Sequence, residues 1–293
     1  MAVPNHEARL LRVALPNKGG LSEPASAILR EAGYAQRTDS RDLTLTDADN
    51  GVEFFYLRPR DIATYVGSGE LDLGITGRDL LLDSGASAVE VLALGFGGST
   101  FRFAARPGTV EKIGDLAGTR IASSYPGLVE RHLSAHGVTA QVIRLDGAVE
   151  TAVKLGVADV IADVVSTGAT LRQAGLEIVG EPILRSESIL IQRDGEADGD
   201  LEPAVGQLVR RIQGVLVAQR YVMLAYDVRV EVLEAACAIT PGIESPTVSP
   251  LHREGWVAVQ AMIPTRDTNR IMDELYDLGA RGILVTSIHA CRL

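Results

Sequence analysis

From Leu11 onward, short aliphatic runs alternate with amphipathic stretches, and this alternation most constrains what the chain can fold into. Leu11-Arg12-Val13-Ala14-Leu15 reads as a strand broken by Pro16-Asn17-Lys18-Gly19-Gly20. A helix follows from Ser22 to about Ala32, with Ser22 as N-cap and Pro24 in the tolerated first turn. Leu43 to Thr46 and Val52 to Leu57 read as strands, Asp61 to Ser68 as a helix, and Gly74 to Gly77 as the end of another strand. Strands that alternate with helices specify an α/β layer architecture.

Near Gly95 to Phe103 the chain crosses to a second α/β unit. Strands are expected at 120–122, 141–145, 160–165 and 177–179, and helices at 128–135, 148–155 and 170–174. Ser188 to Ile191 reads as a strand that returns to the first unit, and the polar stretch Gly195 to Asp200 as a linker. Beyond it a helix, Ala204 to Gln219, precedes a β-α-β-β-α-β order spanning Tyr221 to Ile288, the ferredoxin-like unit. The expected domains are 1–98 with 187–200, then 99–186, then 201–293. There is no internal sequence repeat.

The stretch carrying most chemical information is 158–171. An apolar strand ends in small hydroxyl residues around a glycine, and a helix follows. Backbone N–H groups and the helix dipole at such a start favour an anion. Ser166, Thr167 and Thr170 add hydroxyl donors, and Gly168 permits close backbone approach, which together suit a phosphate group. Asp163 lies on the same strand nearest the loop, where a carboxylate either accepts from ribose hydroxyls or holds magnesium through water.

Charge narrows the partners. With 38 acidic against 28 basic residues the formal charge is −10, unsuited to coating nucleic acid. No apolar run reaches the roughly 20 residues that span a bilayer. Met1 to Arg9 is polar and lacks an apolar core, so a frayed tail on a cytoplasmic chain is expected rather than a secretory leader. The two cysteines, Cys237 and Cys291, are expected as reduced thiols. His132 and His136 stand at i, i+4 with no carboxylate motif beside them and are expected on a solvated helix face.

The 158–171 stretch resembles the phosphoribosyl-pyrophosphate signature of the ATP phosphoribosyltransferase family, the first enzyme of histidine biosynthesis. Leu15-Pro16-Asn17-Lys18-Gly19, 57–62, 69–79, Leu145-Asp146-Gly147-Ala148-Val149-Glu150 and 238–247 resemble it in the same order, the last matching the long-form branch. The resemblance implies two catalytic domains with the hinged, type II architecture of periplasmic binding proteins and a regulatory third domain that binds histidine. It also implies a homohexamer built from dimers, and a reaction of ATP with phosphoribosyl pyrophosphate that uses Mg2+. On this resemblance Lys18, Tyr125 and Asp163 are the catalytic candidates. Glu150, Asp163, Ser166, Thr167, Gly168, Ala169 and Thr170 hold phosphoribosyl pyrophosphate, with Ala169 offering no side-chain contact of its own. Lys18, Arg58, Asp72, Gly74 and Arg78 serve ATP, and Asp227, Ser245, Thr247 and Gly282 serve histidine. Mg2+ is expected mainly on the substrate pyrophosphate, with Asp163 as a candidate protein contact. A solute-binding protein would share the two-domain plan, but it predicts a secretory signal and has no need of the 163–170 motif.

Overall fold

A computed structural model of the chain describes residues 9–165, 168–195 and 199–292. In order they form β1 (Leu11–Pro16), α1 (Ser22–Glu31), β2 (Thr44–Asp47), β3 (Val52–Leu57), α2 (Pro59–Ser68), β4 (Leu73–Gly77), α3 (Arg78–Ser84) and β5 (Ala88–Ala93). Next come β6 (Ser99–Ala105), β7 (Arg120–Ser123), α4 (Pro126–Ala135), β8 (Gln141–Arg144), α5 (Thr151–Lys154), β9 (Val160–Val165), α6 (Ala169–Gln173), β10 (Glu177–Ser186) and β11 (Ser188–Arg193). The last elements are α7 (Glu202–Arg220), β12 (Tyr221–Arg229), α8 (Leu233–Ile239), β13 (Thr247–Pro250), β14 (Trp256–Pro264), α9 (Thr268–Leu278) and β15 (Arg281–Ser287). Two compact units result: Met1–Ala27 with Ala35–Val205, and Ile28–Tyr34 with Gly206–Leu293.

The first unit contains two sheets, ordered β2-β3-β1-β4-β11-β5 and β10-β6-β9-β7-β8. Apart from the edge strand β2, they follow one plan. β3-β1-β4-β11-β5 corresponds position by position to β8-β7-β9-β6-β10. In each, three parallel strands are followed by one antiparallel strand, β11 beside β4 and β6 beside β9. The chain passes between the two lobes twice, and the passages lie side by side: Leu94 N–H donates to the Ser188 carbonyl and Ser188 N–H to the Phe96 carbonyl, each at 2.9 Å. Two doubly wound lobes joined by paired crossovers are the type II periplasmic-binding-protein plan. It arises here without any repeat in sequence.

Burial explains the aliphatic strands. In β1 only Arg12 is exposed, as expected for a strand covered on both faces. Burying side chains such as Leu15, Phe54 and Ile75 contributes about 1.5–3 kcal/mol each. Helix α2 starts with Pro59 at its first position and is closed by Gly69 in the left-handed region, φ 83°. It lays Ile62, Ala63 and Val66 against β4 at a place where β4 has no side chain. A Cβ on Gly74 would stand 2.5 Å from Ile62 Cγ2.

The second unit has the sheet order β13-β14-β12-β15, antiparallel throughout, which is the ferredoxin-like order expected from the chain. Leu224, Tyr226, Val228, Val259 and Ile263 of the sheet form one core with Ile271 and Leu275 of α9 and Ala236 of α8. The Tyr226 hydroxyl shares a 2.7 Å hydrogen bond with the buried Thr240 hydroxyl.

Several local expectations are corrected. The helix expected at 148–155 is only Thr151–Lys154, because Gly147 (φ 105°) and Ala148 (φ 47°) hold left-handed backbone that no helix can include. β10 runs to Ser186 instead of Val179, its pairing with β6 interrupted by a register shift between Val179 and Leu184. α3, β5 and β6 were not anticipated as elements. His132 is not on a solvated face: it is half-buried, its ring 5.8 Å from Phe103 and 4.5 Å from His136, and burial lowers its pKa.

Candidate active site

In open α/β sheets ligands bind beyond the carboxyl ends of the strands. Here those ends, from both lobes of the first unit, border one cleft of about 750 Å³. Lobe I (9–94 with 187–195) contributes Lys18, Gly19, Arg60, Gly77 and Asp79. The crossing segment contributes Gly97, Gly98 and Ser99, and lobe II (100–186) contributes Tyr125, Asp146, Gly147 and Asp163.

The loop after β1 is aimed by its backbone. Asn17 N–H donates to the Leu57 carbonyl at 2.8 Å, and Ser22 N–H reaches back to the Gly19 carbonyl at 3.1 Å. Gly19, at φ 81°, makes the tight return possible. Lys18 is left exposed at the tip, with no ion-pair partner among the described residues. Beside it Asn17 Oδ1 is buried without a hydrogen-bond partner among the described residues.

Tyr125 follows β7. Its N–H donates to Ser123 Oγ at 2.9 Å, and the ring meets Phe101 edge-on at 5.2 Å and 69°. The Arg60 guanidinium covers the ring at 4.9 Å and pairs with Asp83, Nη1 to Oδ2 at 2.9 Å. Burial, reinforced by the Asp79 carboxylate, pushes the phenol above its ordinary pKa, so it stays protonated. Asp79 is itself buried and accepts from Ser186 Oγ at 2.9 Å, while its N–H donates to the same Oγ at 3.0 Å.

Asp163 extends from β9 into the cleft, its Oδ1 accepting from Val164 N–H at 2.7 Å. Burial raises its pKa, and the charge of Glu150 at the start of α5 raises it further. Glu150 itself is not among the residues that line the cleft. Gly168 is buried at φ 69°, and Ala169 and Thr170 open α6 with exposed side chains. Ser166 and Thr167 lie outside the described residues.

Four residues expected at the ATP side are not brought to the cleft. Asp72 sits at the amino end of β4, the opposite edge, where it accepts from Arg12 N–H and from Arg9 Nη2, both at 2.8 Å. Gly74 is a packing glycine beneath α2. Arg58 is exposed at the N-cap of α2 without a capping bond. Arg78 is held by Glu90 at 2.7 and 2.8 Å and by Glu187 at 3.3 Å, and Glu187 also accepts from Gly95 N–H at 3.1 Å. Arg78 thus holds Glu187, the side chain that joins the two crossing segments. The cleft instead takes Arg60 and Asp79, each inside a stretch singled out by sequence but given no role there. Their signal was position: Pro59 at the first helical place turns Arg58 outward as cap and leaves Arg60 in the first turn.

In the second unit, the carboxylate of Asp227 lies 3.4 Å from where a Cβ on Gly282 would stand, and Gly282 adopts φ 59°. Thr247 pairs across strands with Gln260, and Gln260 with Ala225, so Thr247 and Asp227 share the sheet face not covered by helices. Ser245 is in the exposed approach to β13, its Oγ 3.5 Å from the Pro246 carbonyl.

The family profile described as ATP phosphoribosyltransferase matches residues 58–214, and that of the HisG C-terminal domain matches 218–290. The ATP phosphoribosyltransferase of Streptomyces coelicolor is 64% identical over 285 residues, covering 97% of this chain and 100% of the relative. That of Salinispora tropica is 65% identical over 284 residues, with the same coverage. Among solved structures, the ATP phosphoribosyl transferase (HisG:HisZ) complex from Thermotoga maritima matches with a TM-score of 0.59 and 26% identity, over 70% of this chain and 99% of that one. No helix among the described residues is long and apolar enough to cross a membrane. With both profiles matched in order and relatives aligned along nearly its whole length, the chain belongs to the ATP phosphoribosyltransferase family.

Proposed function

We propose that the cleft between the two lobes joins N1 of the adenine of ATP to the anomeric carbon of phosphoribosyl pyrophosphate, releasing pyrophosphate with inversion. The observation that carries this reading is the meeting of Lys18, Tyr125 and Asp163, from opposite lobes, around one cleft at the carboxyl ends of both sheets. The adenine nitrogen brings a free lone pair, so no strong base is required and positioning with charge stabilisation dominates. Lys18 faces the substrate phosphates. Asp163 and Glu150 accept from the ribose hydroxyls, and their negative charge favours an oxocarbenium-like transition state. The protonated Tyr125 shields that centre with its ring. Gly168, Ala169 and Thr170, with Ser166 and Thr167, receive the 5′-phosphate.

The donor set suits Mg2+ brought in by the substrate. Asp163 offers a hard carboxylate oxygen at the cleft. Bound Mg2+ supplies charge neutralisation to the departing pyrophosphate.

The proposed domains are 1–98 with 187–200, 99–186, and 201–293. The last is read as the regulatory domain that binds histidine, with Asp227 facing its cationic groups, Thr247 and Ser245 its carboxylate, and Gly282 the space beside Asp227. The proposed assembly is a homohexamer of dimers in the cytoplasm. The deciding experiment follows phosphoribosyl-ATP by ultraviolet absorbance, from ATP, phosphoribosyl pyrophosphate and Mg2+ with pyrophosphatase, with and without histidine. Turnover that histidine suppresses is expected. Absence of turnover overturns the reaction, and turnover indifferent to histidine overturns the regulatory reading.

A further inference from the structure

Asp83 breaks a local rule. It stands in the last turn of α3, where a carboxylate opposes the dipole of its own helix. Its partners lie elsewhere. Oδ2 accepts from Arg60 Nη1 at 2.9 Å, within lobe I. Oδ1 accepts from the backbone N–H of Leu128 at 3.2 Å, in lobe II. The side chain is 10% exposed.

Leu128 is the third residue of α4, and that N–H is the one an N-cap side chain ordinarily satisfies. The N-cap of α4 is Tyr125, which makes no side-chain capping bond, and Pro126 at the first position has no N–H. The cap of this lobe II helix therefore comes from lobe I. Close approach of the two helices depends on Gly127, because a Cβ there would stand 2.5 Å from the Asp83 carbonyl oxygen. The same carboxylate anchors the guanidinium that covers the Tyr125 ring at 4.9 Å.

We propose that Asp83 is a positioning residue for the transfer reaction: one largely covered carboxylate that caps α4 across the boundary between the lobes and fixes Arg60 over Tyr125, so that lobe closure and placement of these two groups are a single event. This rests on the reading of the cleft as the reaction site. Arg60 and Asp83 move with lobe I, Tyr125 and Leu128 with lobe II. Parting the lobes breaks the cap and the stack together, and closing them restores both.

A double-mutant cycle tests the coupling. Asp83→Asn keeps an oxygen for Leu128 N–H but removes the anion that holds Arg60. It is expected to lower kcat/KM for phosphoribosyl-ATP formation about tenfold, and at most about twofold when Arg60→Gln is already present. The same factor in both backgrounds overturns the proposal, since Asp83 would then not act through Arg60. Gly127→Ala leaves the Asp83–Arg60 pair within lobe I but forces α3 from α4. A fall in kcat of similar size is expected, and an unchanged kcat overturns the role of closure. The same cycle on the dissociation constant of inorganic pyrophosphate needs no turnover. Coupling there without product formation keeps the role of Asp83 and overturns only the assigned reaction, and additive effects there overturn the role of Asp83.

Discussion

The guanidinium carbon of Arg60 stands 4.9 Å from the centroid of the Tyr125 ring, joining a cation of one lobe to an aromatic face of the other. Such a contact contributes about 0.5–2 kcal/mol, more as it is desolvated. Tyr125→Ala removes both stack and shield, and is expected to lower kcat/KM about ten- to a hundredfold. Tyr125→Phe keeps the ring and is expected to cost less than about fivefold. The wild-type phenol stays protonated, so Tyr125→Phe leaves the pH–rate profile unchanged below about pH 10. Steady-state kinetics across pH checks both statements. A large loss in Tyr125→Phe would make the hydroxyl, not the ring, the working part.

Asp163 is predicted to trade stability for function. Burial raises its pKa in the folded chain above the unfolded value, so between the two values the folded state binds more protons and stability falls as pH rises. At neutral pH the ionised carboxylate is therefore a net cost to folding. Asp163→Asn is expected to raise the melting temperature at neutral pH, with the gain shrinking as pH falls toward the ordinary carboxylate range. Turnover in the same variant is expected to fall about a hundredfold or more. Calorimetric melting at several pH values, paired with the turnover assay, checks this. A lower melting temperature at neutral pH would mean that the carboxylate is compensated by partners its burial does not reveal.

Much of this architecture is legible in the residues because burial and backbone chemistry act locally. β1 is aliphatic because both of its faces are covered, β3 alternates buried with half-buried side chains, and the strand end at Pro16 follows from proline and the glycines after it. The βαββαβ unit was readable from the order of strands and helices between Tyr221 and Ile288, and Gly279 in the left-handed region closes α9. What was not legible depends on partners far along the chain. Arg78 lies after a short strand like any phosphate-binding arginine, yet its partners are Glu90 and Glu187. Asp72 occupies a conspicuous motif but serves the amino edge of the sheet. Asp83, in the last turn of a helix before Gly85, carried a local signal, a carboxylate at the wrong end of a helix dipole. Only the fold shows which helix it caps instead.

Gly74 separates a packing role from a substrate role. A Cβ there would stand 2.5 Å from Ile62 Cγ2 and 3.1 Å from Val66 Cγ2, both in the buried face of α2. Overpacking of this kind costs about 1–3 kcal/mol. Gly74→Ala is expected to lower stability by that amount in urea unfolding, while the KM for ATP of the folded fraction stays within about twofold of wild type. A raised KM with unchanged stability would return Gly74 to the nucleotide.

Gly282 places its missing side chain beside Asp227. With φ at 59° and a Cβ that would lie 3.4 Å from Asp227 Oδ2, glycine keeps open the space next to that carboxylate. If Asp227 holds the cationic part of histidine, Asp227→Ala removes a charge-assisted bond and is expected to move the inhibition curve about tenfold or more toward higher histidine. Turnover without histidine is expected to fall less than the inhibition does. Gly282→Ala crowds the same space from the other side and strains the backbone, so its inhibition curve should shift in the same direction. Inhibition curves for both variants, with calorimetric binding of histidine to the full chain, test the assignment. Equal loss of turnover and inhibition in Asp227→Ala would make the residue a support of the β12–β15 pairing rather than a contact for histidine.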